Sequence, residues 1–200
     1  GGGSGGGGSG GGTNIPDGET ELYISEYADV DCDLEVENGC VYGNTKYIEI
    51  YNPYSEAVDL SAYTLKGISN RHPNTWGSGQ GCGDTPCSNI RILELGDYGS
   101  IASKDVLLLT ILGTTQFGFV DEKVVEQADD SEIPYESPVH VNGDDAVGLF
   151  KGEVLLDLVG QPEENDIGFG WEVCGITAGT QAHTLIKKDN KAGTSDWPTS

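Results

Sequence analysis

The chain has 200 residues, with 33 acidic and 10 basic side chains and a formal net charge of −23. A surplus of that sign repels phosphate backbones and anionic bilayers, so direct nucleic-acid binding is not expected. No run of about 18 apolar residues occurs, so no membrane span is expected either.

Residues 1–20 read as a Gly/Ser-rich flexible linker, opening with "GGGSGGGGSGGG" over 1–12. Glycine's backbone entropy denies such a run a fold of its own, and twelve residues span about 20 Å as a coil. Residues 21–200 read as one domain, long enough to bury a core. Met is absent and no signal peptide is visible, so the chain reads as a piece of a longer protein.

From there the pattern is one of short strands. "ELYISEY" (21–27), "TKYIEIYN" (45–52), "AYTLKGI" (62–68) and "NIRILEL" (89–95) come first. "KDVLLLTIL" (104–112), "DAVGLFK" (145–151), "EVLLDLVG" (153–160) and "AHTLIKK" (182–188) follow. Each is rich in β-branched, aromatic or leucine residues and is bounded by Gly, Pro, Asn or Asp. Lys151 and Gly152 suit a tight hairpin between two of them. "VDEKVVEQADD" (120–130) is the best helical candidate. Many short strands with so little helix predict an all-β, antiparallel sandwich with long loops.

Period-2 alternation assigns faces. In "YIEIYN", Ile48 and Ile50 point one way and Tyr47, Glu49 and Tyr51 the other. In "LYISEY", strict alternation puts Leu22, Ile24 and Glu26 on one face and Tyr23, Ser25 and Tyr27 on the opposite one. Glu49, between two tyrosines, is read as a cross-strand hydrogen-bond acceptor rather than a general acid. Glu26, Glu49 and Asp157 have no sequence relation that would pair them.

The connection after the first strand carries Asp29, Asp31, Asp33, Glu35 and Glu37, clustered oxygen donors of the kind Ca²⁺ takes. The D-x-D-x-D opening is that of an EF-hand loop, but Leu34 and Cys40 stand where that loop needs its Gly and its bidentate Glu. These five are therefore candidate ligands of an irregular Ca²⁺ site, with a solvated acidic loop as the alternative. "NGDD" (142–145) with "ADDSE" (128–132) is a weaker candidate. No motif requires a cofactor.

Cys32 with Cys40, and Cys82 with Cys87, bound short loops rich in Gly, Asp and Asn, and read as local disulfides. Zinc would want tighter knuckles or matched histidines, and His72, His140 and His183 are scattered. Cys174, in "WEVCGI", reads as a small buried apolar residue. Disulfides place folding outside the reducing cytosol, hence a secreted or cell-surface location. The long segment 66–89 offers Arg71, His72 and Trp76, the last read as exposed, as candidates for contact with a protein or surface glycan. No nucleophile elbow or phosphate-binding lysine loop is present, and no catalytic residue is assigned.

Taken in order, "LYISEY", "KYIEIYNPYSEAVDLSAYTL", "NGDDAVGLFKGEVLLDLVG", "GWEVCG" and "AHTLIKK" resemble the lamin-tail domain in its form on secreted and surface bacterial proteins. The resemblance covers roughly 21–197. It is carried by Ser25 and Glu26, by Glu49 and Asn52, by "DLSAYTL" from Asp59 to Leu65, and by the acidic turn from Asn142 to Asp145. It implies an immunoglobulin-like β-sandwich acting as a non-catalytic binding or structural module. Family members also stand beside extracellular nucleases and phosphatases, so service to an enzyme in a neighbouring domain is an alternative. Self-association into a surface filament through exposed strand edges is another. The chain departs from the family in the insertion 29–40, in the long loop 66–89, and in ending at "DWPTS", where members often continue into another strand.

Overall fold

A computed structural model of the chain describes residues 21–30, 45–68, 76, 90–111, 122–125, 137–162, 170–188 and 191–197. They form an all-β fold. The strands are β1 (Tyr23–Val30), β2 (Thr45–Tyr51), β3 (Val58–Asp59), β4 (Tyr63–Ile68), β5 (Ile90–Glu94) and β6 (Ser100–Ile101). β7 (Val106–Ile111), β8 (Glu122–Val125), β9 (Ala146–Lys151), β10 (Val154–Val159) and β11 (His183–Ile186) complete the set. All eight strands expected from the sequence are present. A five-stranded sheet runs β11-β1-β2-β7-β8 and a four-stranded sheet runs β10-β9-β4-β5, while β3 and β6 form a small ribbon.

Burial explains why these segments are strands. The apolar face of the five-stranded sheet supplies Ile24, Tyr27, Ile48, Ile50, Leu107 and Leu109 to the core. The other sheet supplies Tyr63, Leu65, Val147, Leu149 and Val159 to the same cluster. Each fully buried aliphatic side chain contributes about 1.5–3 kcal/mol relative to exposure, so the alternating strands are stable only with their apolar faces together. Between β9 and β10, Lys151 pairs with Val154 and Gly152 turns at φ +56°, the value a two-residue hairpin needs at its first central position.

Two expectations need correcting. The segment read as helical over 120–130 contains β8, which pairs with β7 from Leu108–Glu122 to Ile111–Val125. An isolated helix of that length is marginal in water, whereas adjacent Val124 and Val125 suit a ladder on the edge of β7. This pair is parallel, while every other strand pair among the described residues is antiparallel.

The second correction concerns β1. Ile24 lies opposite Ile50, but Glu26 lies opposite Glu49 and Tyr27 opposite Ile48, so Ser25 is an extra residue in a bulge. A bulge resets the parity of a strand. Tyr27 therefore enters the core, and Glu26 joins Tyr47 and Glu49 on the outer face, the reverse of strict alternation.

Candidate functional site

The outer face around the β1 bulge holds the Glu49 that drew attention in the sequence. Ser25 Oγ donates to Glu49 Oε1 at 2.6 Å, and Tyr47 Oη donates to Glu26 Oε2 at 2.8 Å. Glu49 is thus a cross-strand acceptor. Burial pushes its carboxyl above the ordinary glutamate value; the Ser25 hydroxyl opposes that rise, and the Glu26 charge adds to it. Burial also raises the Tyr47 hydroxyl, helped by its bond to Glu26 and by that residue's charge. Tyr23 and Tyr51, register partners on the same two strands, meet at a tilt of 55° with ring centroids 5.5 Å apart. Glu26 and Glu49, unrelated in sequence, are brought opposite one another by the bulge.

Asp157 has a different setting. β10 carries a second bulge at Leu156, between the pairs Leu155–Phe150 and Asp157–Leu149. From there the Asp157 carboxylate reaches the other sheet. Its Oδ2 accepts from Ile24 N at 2.8 Å, and its Oδ1 accepts from Leu158 N at 3.0 Å and Thr194 N at 2.9 Å. Lys187 Nζ lies 2.6 and 2.8 Å from the two oxygens. The bulged strands of both sheets and the segment 191–197 thus meet on one fully buried carboxylate. Gly193 makes this approach feasible, because a Cβ there would lie 2.8 Å from the Leu156 carbonyl oxygen.

Two more buried acids hold cations. Asp29, the one of the five acidic-loop Ca²⁺ candidates among the described residues, is fully buried on β1, where it pairs with Lys46 of β2 and lies 3.4 Å from the Ala182 N–H. It stands in the interior rather than in a solvated acidic loop, because Lys46 is its direct cross-strand partner. Asp145, from the acidic turn, pairs with Arg91 at 3.3 Å. Arg91 also donates to the carbonyls of Ser137 and His140, fixing the loop that places Val139 and Val141 in the core. Lys46, Arg91 and Lys187 were not singled out in the sequence. The available signal was indirect: in a chain with so few bases, a cation inside or beside an apolar strand marks a buried acid.

The motif residues of the second strand and its turn are bonded as their chemistry suggests. Asn52 is fully buried, its Nδ2 contacting the carbonyls of Glu56, Ile101 and Ala102 at 2.8–3.0 Å while Oδ1 accepts from Tyr54 N. Asp59 caps its own turn through Ser61 N at 2.7 Å. Gly143 turns at φ +88°, with a place for a Cβ only 2.5 Å from the Gln181 backbone.

Trp76 is half-buried rather than exposed. Its ring meets Phe150 edge-on at 5.2 Å, over Gly148, and Lys66 Nζ sits 4.5 Å from the same Phe150 ring. Cys174 is exposed, not buried. It occupies the tip of a turn between the bridged pair Val173 and Ile176, with φ +52° there and +80° at Gly175. Two successive positive φ values turn the chain outward regardless of the apolar character of the thiol. Asp31, Asp33, Glu35, Glu37, Arg71, His72, Cys32, Cys40, Cys82 and Cys87 lie outside the described residues, as do residues 128–132. Among the described residues no group of three or more His, Cys, Asp or Glu is placed to hold a metal ion. No helix among them is long and apolar enough to cross a membrane.

Comparison with protein-family models gives no match, and neither does comparison with curated protein sequences.

Proposed function

We propose that the chain is a non-catalytic binding or structural module of a larger secreted or surface protein, an immunoglobulin-like sandwich of the lamin-tail kind. The observation that carries this reading is the use to which the motif residues are put. Glu49, Asn52, Asp59 and Gly143 are each bonded or shaped within the frame. The buried carboxylates of Asp29, Asp145 and Asp157 are each paired with a lysine or arginine. Groups committed in this way serve to hold a surface in place, and the partner of that surface is a protein, a glycan or a neighbouring domain.

A hydrolase panel with divalent cations tests the non-catalytic part. No turnover is expected, and activity abolished by Glu49→Gln would overturn the reading. Intact mass with and without reductant is expected to show two disulfides and one free thiol; five free thiols would remove the extracellular assignment. Asp29→Asn is expected to lower the melting temperature equally with and without millimolar calcium, and a loss seen only in calcium would return Asp29 to a metal site.

Self-association is a second reading, favoured by where apolar side chains are exposed. Ile92, Val154 and Ile186 are more than half exposed, and all three lie on the outermost strands β5, β10 and β11. Sedimentation velocity in high salt, where the net charge is screened, is expected to show assembly on this reading, and a monomer there would remove it.

A further inference from the structure

The carboxylates of Glu26 and Glu49 stand opposite one another across β1 and β2, where like charges cost stability. Among the described residues, the groups that β1, β2, β7 and β11 turn toward them offer no cation. β1 and β2 contribute Tyr23, Ser25, Tyr47 and Tyr51. β7 contributes Leu108, the register partner of Glu49. β11 contributes Thr184 and Ile186, the latter being the register partner of Glu26. Lys187, next along the chain, is bound to Asp157, and Lys46 is in the interior with Asp29. The Ser25 hydroxyl serves one carboxylate and the Tyr47 hydroxyl the other, so each acid has one neutral donor and a like-charged neighbour.

We propose that Glu26 and Glu49 form a one-proton switch on the outer face of the five-stranded sheet. In mild acid the pair takes one proton from solvent, loses its mutual repulsion and tightens β1 against β2. As pH rises and Glu49 loses that proton, the repulsion returns and the strand pair loosens. The bulge passes this change to the sheet edge, because the Ser25 carbonyl accepts from Lys187 N at 2.8 Å at the end of β11. Among the described strands β11 is paired through β1 alone. The sign follows from linkage. Burial and the Glu26 charge raise the Glu49 value in the folded chain, against the Ser25 hydroxyl. The folded state therefore holds the proton more tightly than the unfolded one. The resulting stability is complete below the unfolded glutamate value and is lost as pH rises through the folded value.

Carboxyl-detected NMR titration of the whole chain tests this directly. Glu49 is expected to titrate above an ordinary glutamate, and Glu26→Gln is expected to lower its midpoint. A Glu49 midpoint at or below the ordinary value, or one indifferent to Glu26→Gln, would overturn the switch. Thermal unfolding gives a second reading. Glu49→Gln is expected to raise the melting temperature by about 2 °C at pH 7.5 and to leave it unchanged at pH 4. A difference independent of pH would equally overturn the proposal, and if the variant does not fold, the titration of the unaltered chain decides.

Discussion

Asp157 and the Glu26–Glu49 pair are both carboxylate sites created by a bulge, yet they are resolved in opposite ways. At Asp157 the carboxylate is fully buried and receives three backbone N–H groups and a lysine. On the outer face two carboxylates are half-buried, receive one hydroxyl each and face one another. A fully buried ion is tolerated only when paired and hydrogen-bonded, whereas a half-exposed one can keep an unfavourable neighbour because water screens part of the repulsion. The contrast shows where bases go: Lys46, Arg91 and Lys187 pair with acids that water does not reach, and among the described residues none bonds to Glu26 or Glu49.

The largest expected effect comes from breaking the buried side of this contrast. Asp157→Ala removes the common acceptor of both sheets and of the segment 191–197, and is expected to lower stability by about 3 kcal/mol in urea unfolding. Lys187→Met is expected to cost clearly less, because its side chain is a fifth exposed and the three backbone donors to Asp157 survive. Equal losses would mean that charge rather than backbone bonding holds the seam. Gly193→Ala comes next. The new Cβ would press on the Leu156 carbonyl, and a loss of about 1–2 kcal/mol is expected from overpacking, with a change in fluorescence if Trp197 leaves the core edge it packs on.

Smaller effects sharpen the comparison from the outer faces. Trp76→Ala removes the edge-on contact with Phe150 on the four-stranded sheet and is expected to cost about 1 kcal/mol in the same assay. Tyr47→Phe removes the donor to Glu26 and is expected to cost about 0.5–1 kcal/mol. A Tyr47→Phe loss as large as that of Asp157→Ala would erase the distinction between the two sites.

Much of the frame was legible in the residues. The eight expected strands follow from runs of β-formers bounded by turn residues. The Gly152 hairpin and the turns at Asp59 and Gly143 follow from local backbone chemistry. Glu49 was legible as a cross-strand acceptor because its neighbours on both sides are core isoleucines. Trp76, by contrast, looked exposed because nothing in a Gly- and Ser-rich loop indicates that Gly148, far along the chain, leaves room for an indole.

The sequence by itself determined what depends on near neighbours: where the chain extends, where it turns, and which side of β2 is greasy. Tertiary structure alone decided what depends on meeting a distant strand. It placed β8 as a strand, since an edge was there to pair with. It inserted Ser25 as a bulge and so exchanged the faces of Glu26 and Tyr27. It also selected which of 33 acids would be enclosed with a cation. Register and burial are properties of pairs of segments, and the energy that fixes them appears only once the two sheets close on each other.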